Sequence, residues 1–453
     1  MKKGYLFLLM ILFLGLVACG KNTAVVATSD MLTGDNGKVV LINTDDLTQA
    51  PVTVDGVNGL FQQVIVSPDG ATAYVYSAIG DNRICIVNLL NQSSSYLDLD
   101  HAVWDMALTA DGAKLVVGKQ STIDVIEIYD TVTLDLLQSF PLAPNLLGYC
   151  QGRKLALDPK REVIYLIATT VLQQAQVRAY KFDGTMLGDG HAIANDLALP
   201  VLDDYDIAIA PAGDLLLAVS SQIYPYLVSD AGLADLNPIP PQVSGYEGTL
   251  WGKTKILFTK NTNMVYVNSA GFWLPPFNFG GSAYCLDKQK ILTNDPDPFV
   301  FSLVDFFHDD FIKWIVRLLS EDIEDIIDPA SLYGIADSTI SGDTCYMVIA
   351  SVASMALDLT GLTNGKCILA IYHTLPGTHF NVWVGGKVFD AYPSAIGINR
   401  ANNTLVLSYL WKNQVGVFKK DPFLGWFSTE ETKIDLGNYP KALSMSTQKT
   451  SPF

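Results

Sequence analysis

Apolar and polar positions alternate along most of this chain in short runs, and one arrangement of them keeps returning. Residues 64–66 form a continuous apolar run, Ser67-Pro68-Asp69-Gly70 is a tight polar turn, and residues 71–77 alternate around Tyr74 and Tyr76. That pattern predicts a β-hairpin. A lone hairpin cannot bury two apolar faces, so its recurrence predicts stacked copies. Inner strand and turn return at residues 64–70, 106–112, 155–161, 207–213, 256–263, 335–342 and 396–402, at turn-to-turn intervals of 42, 49, 52, 50, 79 and 60 residues. Most of these match the length of one four-stranded propeller blade.

A third strand follows within a unit, most legibly at residues 126–129, and leads through Asp130-Thr131-Val132-Thr133 to an outer strand. Strands predicted at 24–28, 38–43 and 51–54 lack a leading partner, while residues 442–446 read as an inner strand with nothing after it. Pairing the two ends closes a ring without exposed sheet edges. The expected fold is an all-β propeller of eight four-stranded blades, or of seven if the unit ending at Gly213 or Asn263 is misread. The longest interval holds an insertion at 302–328, where Phe306, Phe307, Trp314, Ile315, Leu318, Leu319, Ile323 and Ile326 recur at three- and four-residue spacing. Asp309, Asp310, Glu321, Asp322, Glu324 and Asp325 fill the complementary positions. This predicts an amphipathic helix or helix pair ended by Pro329, packed on the propeller rim or docking a partner.

Several of these turns carry a resemblance. Ser67-Pro68-Asp69-Gly70 with Tyr74-Val75, Tyr266-Val267-Asn268-Ser269, Asp130-Thr131 and Asn43-Thr44 resemble the YVTN-type repeat of bacterial surface-layer-like and lactonase-like β-propellers. Pro393-Ser394-Ala395-Ile396 and Pro440-Lys441-Ala442-Leu443 resemble the proline-led start of its inner strand. The likeness runs over about residues 24–448, although 155–161 and 256–263 keep the apolar pattern without the Pro-Asp-Gly turn.

The first residues read differently. Lys2 and Lys3 precede an apolar run from Tyr5 to Val17, too short to span a bilayer as a mature helix and built like a secretory signal. It ends in Leu16-Val17-Ala18-Cys19-Gly20, which resembles the bacterial lipobox. Residues 1–18 are therefore expected to be a signal peptide, Cys19 an acylated N-terminus, 19–23 a tether, and 24–453 the propeller with its insertion. That predicts an exported protein, lipid-anchored to the bacterial envelope, and Gly20 after the cysteine resembles outer-membrane sorting where the host has an outer membrane.

Charge narrows the partners. The chain carries 29 Lys and Arg against 46 Asp and Glu, a net charge of −17, which becomes −19 without residues 1–18 because they hold two lysines and no acid. So acidic a chain is ill suited to nucleic acid, and membrane contact is expected through the anchor alone. After Cys19, five widely spaced cysteines remain, an odd number with no Cys-x-x-Cys, so buried thiols are expected rather than a disulfide framework.

In a propeller, loops from many blades converge around the central channel where the inner strands begin. The candidate binding residues there are Gln63, Trp104, Asp105, Lys154, Asp206, Lys255 and Tyr333. Asp203, Asp204 and Asp206 together offer oxygen ligands suited to a hard divalent cation, although exposed acids in so acidic a chain are more often solvated. No His-Glu-x-x-His, Gly-x-Ser-x-Gly, nucleotide-binding glycine loop or EF-hand spacing is present, and no catalytic residue is singled out. The leading expectation is a non-enzymatic module, without a cofactor, that binds an envelope protein or a polysaccharide. The alternatives are a metal-dependent, lactonase-like hydrolase at the channel mouth and a structural subunit of an envelope assembly.

Overall fold

The computed structural model describes residues 22–446 apart from 31, 60–61, 122, 144–149, 170–174, 194–204, 221, 240–253, 274–277, 303–332, 352–366, 375–380, 390–392, 400–403, 410–411 and 420–430. Among them are eight four-stranded antiparallel sheets, the blades of a β-propeller. Blades 2 to 8 each take four consecutive strands. Their inner strands are Gln62–Val66, Val103–Leu108, Gln151–Leu157, Asp206–Ile209, Thr254–Phe258, Tyr333–Ser341 and Pro393–Asn399. Blade 1 is composite: Thr23–Ser29, Lys38–Asn43 and Val52–Asp55 are joined by the C-terminal strand Tyr439–Ser446, with Thr23 opposite Ser446 and Ser29 opposite Tyr439. The predicted closure and the count of eight both hold. Neighbouring inner strands touch from blade 3 round to blade 2, and Val103–Leu108 also meets Thr72–Ser77 of blade 2, so the ring is complete.

The recurring turn has a local cause. Gly70, Gly112 and Gly213 occupy one position in three blades at φ of 73°, 74° and 67°, a conformation that a β-carbon disfavours, and each donates its N–H back to the residue that opens the turn. In blades 2 and 3 the aspartate before the glycine completes the turn. Asp69 accepts from Ala71 N at 2.9 Å and from Ser67 Oγ at 2.5 Å, and Asp111 accepts from Ala113 N at 3.0 Å and from Thr109 Oγ1 at 2.6 Å. Blade 4, which lacks the glycine, uses Asp158 instead: it accepts from Lys160 N at 2.8 Å and Arg161 N at 3.0 Å.

The core is distributed between blades. In Val163–Thr169 of blade 4, Ile164, Leu166 and Ala168 pack toward blade 3, while Val163, Tyr165 and Ile167 pack toward blade 5. Both faces of the sheet are buried, so the middle strands read as nearly continuous apolar runs. Each such aliphatic or aromatic side chain contributes roughly 1.5–3 kcal/mol on burial. Cys85, Cys150, Cys285 and Cys345 are buried in these layers as thiols outside any disulfide. Burial pushes the Cys85 thiol up to about 12, which suits a packing role better than reactivity.

Two faces follow from the strand directions. Every inner strand runs from an entry face, where the chain arrives from the previous blade, to a turn face. The turn face is stitched from blade to blade: Arg161 Nη1 donates to Gly213 O at 2.9 Å, Asn261 N to Asp343 Oδ1 at 2.7 Å, and Ser446 Oγ to Gly70 O at 2.7 Å. A short helix, Lys288–Leu292, follows the third strand of blade 6, capped by Asp287 Oδ1 accepting from Gln289 N at 2.8 Å. No described helix is long and apolar enough to cross a membrane. The predicted amphipathic insertion falls almost wholly on 303–332, outside the described residues, as does Cys19.

Candidate functional site

Counted back from the first turn residue of each blade, the fourth residue of every inner strand occupies one height around the ring. In order from blade 2 these are Gln63, Asp105, Lys154, Asp206, Lys255, Asp337, Ala395 and Ala442. Five consecutive blades therefore present Asp, Lys, Asp, Lys, Asp, and the remaining three present small or neutral side chains.

The carboxylates are held in one repeated way. Asp105 Oδ2 accepts from Leu155 N of the next blade at 2.9 Å, Asp206 Oδ2 from Ile256 N at 2.7 Å, and Asp337 Oδ2 from Ile396 N at 3.0 Å. Each main-chain donor is the residue just after the equivalent position in the following blade. Adjacent inner strands are not joined by a sheet ladder, so these bonds supply a link between blades. Lysines work in the complementary sense. Lys255 Nζ lies 2.5 Å from Asp337 Oδ1 and donates to Ser338 O at 2.8 Å. At the start of the arc, the Tyr76 hydroxyl donates to Asp105 Oδ1 at 2.7 Å and stands 2.9 Å from the side-chain amide of Gln63.

Desolvation sets the proton affinities. Burial raises the Asp105 carboxyl above its ordinary range, opposed by Lys154, by the Tyr76 hydroxyl and by the N–H groups of Leu155 and Met106. Burial pushes Asp206 up to about 6, opposed by Lys154 and the N–H groups of Ile256 and Ile207, with Asp105 adding to the rise. Asp206 nevertheless keeps some solvent contact, whereas Asp105 and Asp337 are buried. Asp206 is thus a carboxyl that can take up or release a proton near neutrality.

Gln63, Asp105, Lys154, Asp206 and Lys255, proposed from sequence, share this register. Trp104 does not join them. A bulge between Val103 and Asp105 takes it out of the ladder, and its indole packs in the layer between blades 3 and 4. A β-carbon on Gly118 or Gly152 would come within 2.3 Å or 2.2 Å of that ring, so the two glycines make its slot. Its Nε1 is buried without a hydrogen-bond partner. Tyr333 opens the inner strand of blade 7, ahead of Asp337, and its side chain lies outside the described set. Asp203 and Asp204 also fall outside the described residues. Among the described residues, no group of three or more His, Cys, Asp or Glu gathers as metal ligands, and Asp206 faces the N–H groups of Ile256 and Ile207 and the Lys154 ammonium.

Asp337 was missed. It sits as far from Ser341 and its turn as Asp105 sits from Thr109, so aligning the units on their turns would have found it. The apolar pair Ile335-Ala336 drew the predicted strand start away from it.

The sequence matches no known family profile and no curated protein. Solved structures are similar in fold. The dihydro-heme d1 dehydrogenase NirN in complex with DHE aligns at a TM-score of 0.58 with 14% identity, over 94% of this chain and 75% of that one. Apo AztD from Citrobacter koseri aligns at 0.56 with 12% identity, over 95% and 99%. A protein from Lactobacillus plantarum aligns at 0.51 with 13% identity, over 94% and 99%. At such identities the likeness establishes the fold class, a β-propeller, and nothing of the chemistry.

Proposed function

We propose that this chain is an exported, lipid-anchored β-propeller of the bacterial envelope that works as a non-enzymatic binding module for a protein or surface polymer, with the charged arc as its recognition surface. One observation carries the reading: charges alternate over five consecutive blades while each carboxylate is already fixed by a main-chain N–H of its neighbour. Preorganised charges lose little freedom when a polar partner arrives, which favours binding. Cys19 supplies the anchor, so Cys19→Ser is expected to move the protein from the membrane fraction to the soluble one.

The test is affinity capture with full-length, detergent-extracted protein beside a Lys154→Met, Asp206→Asn variant of matching thermal unfolding. A partner held by the parent and lost by the variant supports the arc as the recognition surface. Equal capture by both removes the arc from the reading. A second reading rests on Asp206, whose carboxyl exchanges a proton near pH 6 and keeps solvent contact. If purified protein hydrolyses lactones or esters and Asp206→Asn abolishes this without unfolding it, the hydrolase reading replaces the binding one.

A further inference from the structure

The structure also assigns an orientation, which rests on the reading of Cys19 as the lipid anchor: we infer that the turn face of the propeller lies against the bilayer and the entry face, with the charged arc, looks away from it. The first argument is reach. Thr23 opens the first strand of blade 1 and pairs with Ser446, the last residue of the closing inner strand. Ser446 is itself bonded to Gly70 in the turn of blade 2, so Thr23 begins on the turn face. Only residues 20–22 separate it from Cys19. Fully extended, that connection covers roughly 14 Å. The eight-residue strand Tyr439–Ser446 rises roughly 26 Å from one face toward the other. Because Thr23–Ser29 runs away from the turn face, a tether this short cannot carry an acylated cysteine around to the entry face.

The second argument is what the turn face exposes. Leu90 in blade 2 and Val132 in blade 3 are 60% and 89% exposed. They are equivalent residues: Leu90 N donates to Asn88 Oδ1 at 3.0 Å and Val132 N to Asp130 Oδ1 at 2.8 Å, at the tips of matching outer hairpins. Gln92 and Leu134 follow in both turns with φ of 57° and 62°. Neighbouring blades thus present two apolar tips at one level, beside the blade that carries the tether. The entry face has apolar tips as well, Leu32 in blade 1 and Ile79 in blade 2, so exposure alone does not choose between the faces, and the tether does. A chain of net charge −19 without residues 1–18 gains nothing from anionic headgroups, so the partner is a zwitterionic bilayer surface into whose interface apolar tips can insert.

Lipidated full-length protein is reconstituted on phosphatidylcholine and phosphatidylethanolamine vesicles that carry a nitroxide on the headgroup. A fluorophore is attached in turn to Leu90→Cys, Val132→Cys, Leu32→Cys and Ile79→Cys, with the unsubstituted protein as the labelling blank. Quenching at positions 90 and 132 should exceed that at 32 and 79 several-fold. The reverse order, or equal quenching at all four on vesicle-bound protein, overturns the orientation while leaving the anchor intact. Protein that neither floats with the vesicles nor shows an acyl mass on its N-terminal peptide overturns the anchor, and the orientation with it.

Discussion

Blades 3 to 7 and blades 8, 1 and 2 share one fold and one register, yet they treat the ring axis differently. In the first arc, Asp105, Asp206, Lys255 and Asp337 each reach the next inner strand, and the Lys154 charge acts on both Asp105 and Asp206. In the second, Ala395, Ala442 and Gln63 stand at the same height and the blades still close, held by apolar layers and by the composite sheet of blade 1. Closure therefore does not require charge. Buried ion pairs are a poor source of net stability compared with apolar packing, so the charged arc links its blades by bonds that the neutral arc closes without.

Removing one partner tests this most severely. Lys255→Met leaves Asp337, whose side chain is 2% exposed, without its ammonium partner, and should cost about 3–5 kcal/mol in denaturant unfolding at neutral pH. Gln63→Leu, at the same height in the neutral arc, should cost less than about 1 kcal/mol. Equal losses would erase the distinction between the arcs. The next effect appears against pH. The folded Asp206 carboxyl holds its proton up to about 6, above its unfolded value of 3.8, so its contribution to stability is fully present below 3.8 and is lost as pH rises through 6. Asp206→Asn removes that loss, and its stability relative to the parent should grow by about 3 kcal/mol between acidic and neutral pH. A flat difference across that window would mean that Lys154 already compensates the charge. Tyr76→Phe, which deletes the hydroxyl bonded to Asp105, should cost about 1–2 kcal/mol with its ring packing kept. Smallest of all, Lys38→Ala on the rim, whose partner Asp55 is mostly exposed, should change stability by less than about 0.5 kcal/mol.

The ring was legible in the sequence because its punctuation is local. Ser67-Pro68-Asp69-Gly70 and Thr109-Ala110-Asp111-Gly112 form the same turn through the same side-chain bonds, and the unmatched strand at 442–446 had one possible partner. Much of the arc was legible too, since polar residues just before an apolar inner strand face the ring axis in any propeller. Trp104 was read toward the mouth because it precedes Asp105, but the bulge that turns it into the core depends on Gly118 and Gly152, one of them in another blade. Asp337 was hidden for a different reason: Ser341 pairs with Thr344, so its turn is shorter, and a count back from the glycine that finds Asp105 from Gly112 lands on Ile335 when made from Gly342. What the regular turn decides could be read, and what a neighbouring blade or a shortened turn decides could not.

The strand shared by the two chain ends also governs how such a molecule is made. Thr23–Ser29 cannot find Tyr439–Ser446 until the whole chain has been made and released to fold, and closing a loop of that length costs roughly 5 kcal/mol of chain entropy. Until then the early blades wait as an open stack whose first sheet shows an unpaired, apolar edge at Ala24, Val25 and Val26. Folding thus has a late, concentration-sensitive step, and a holdase or rapid delivery of the last residues would protect yield more than any added stability in the finished ring.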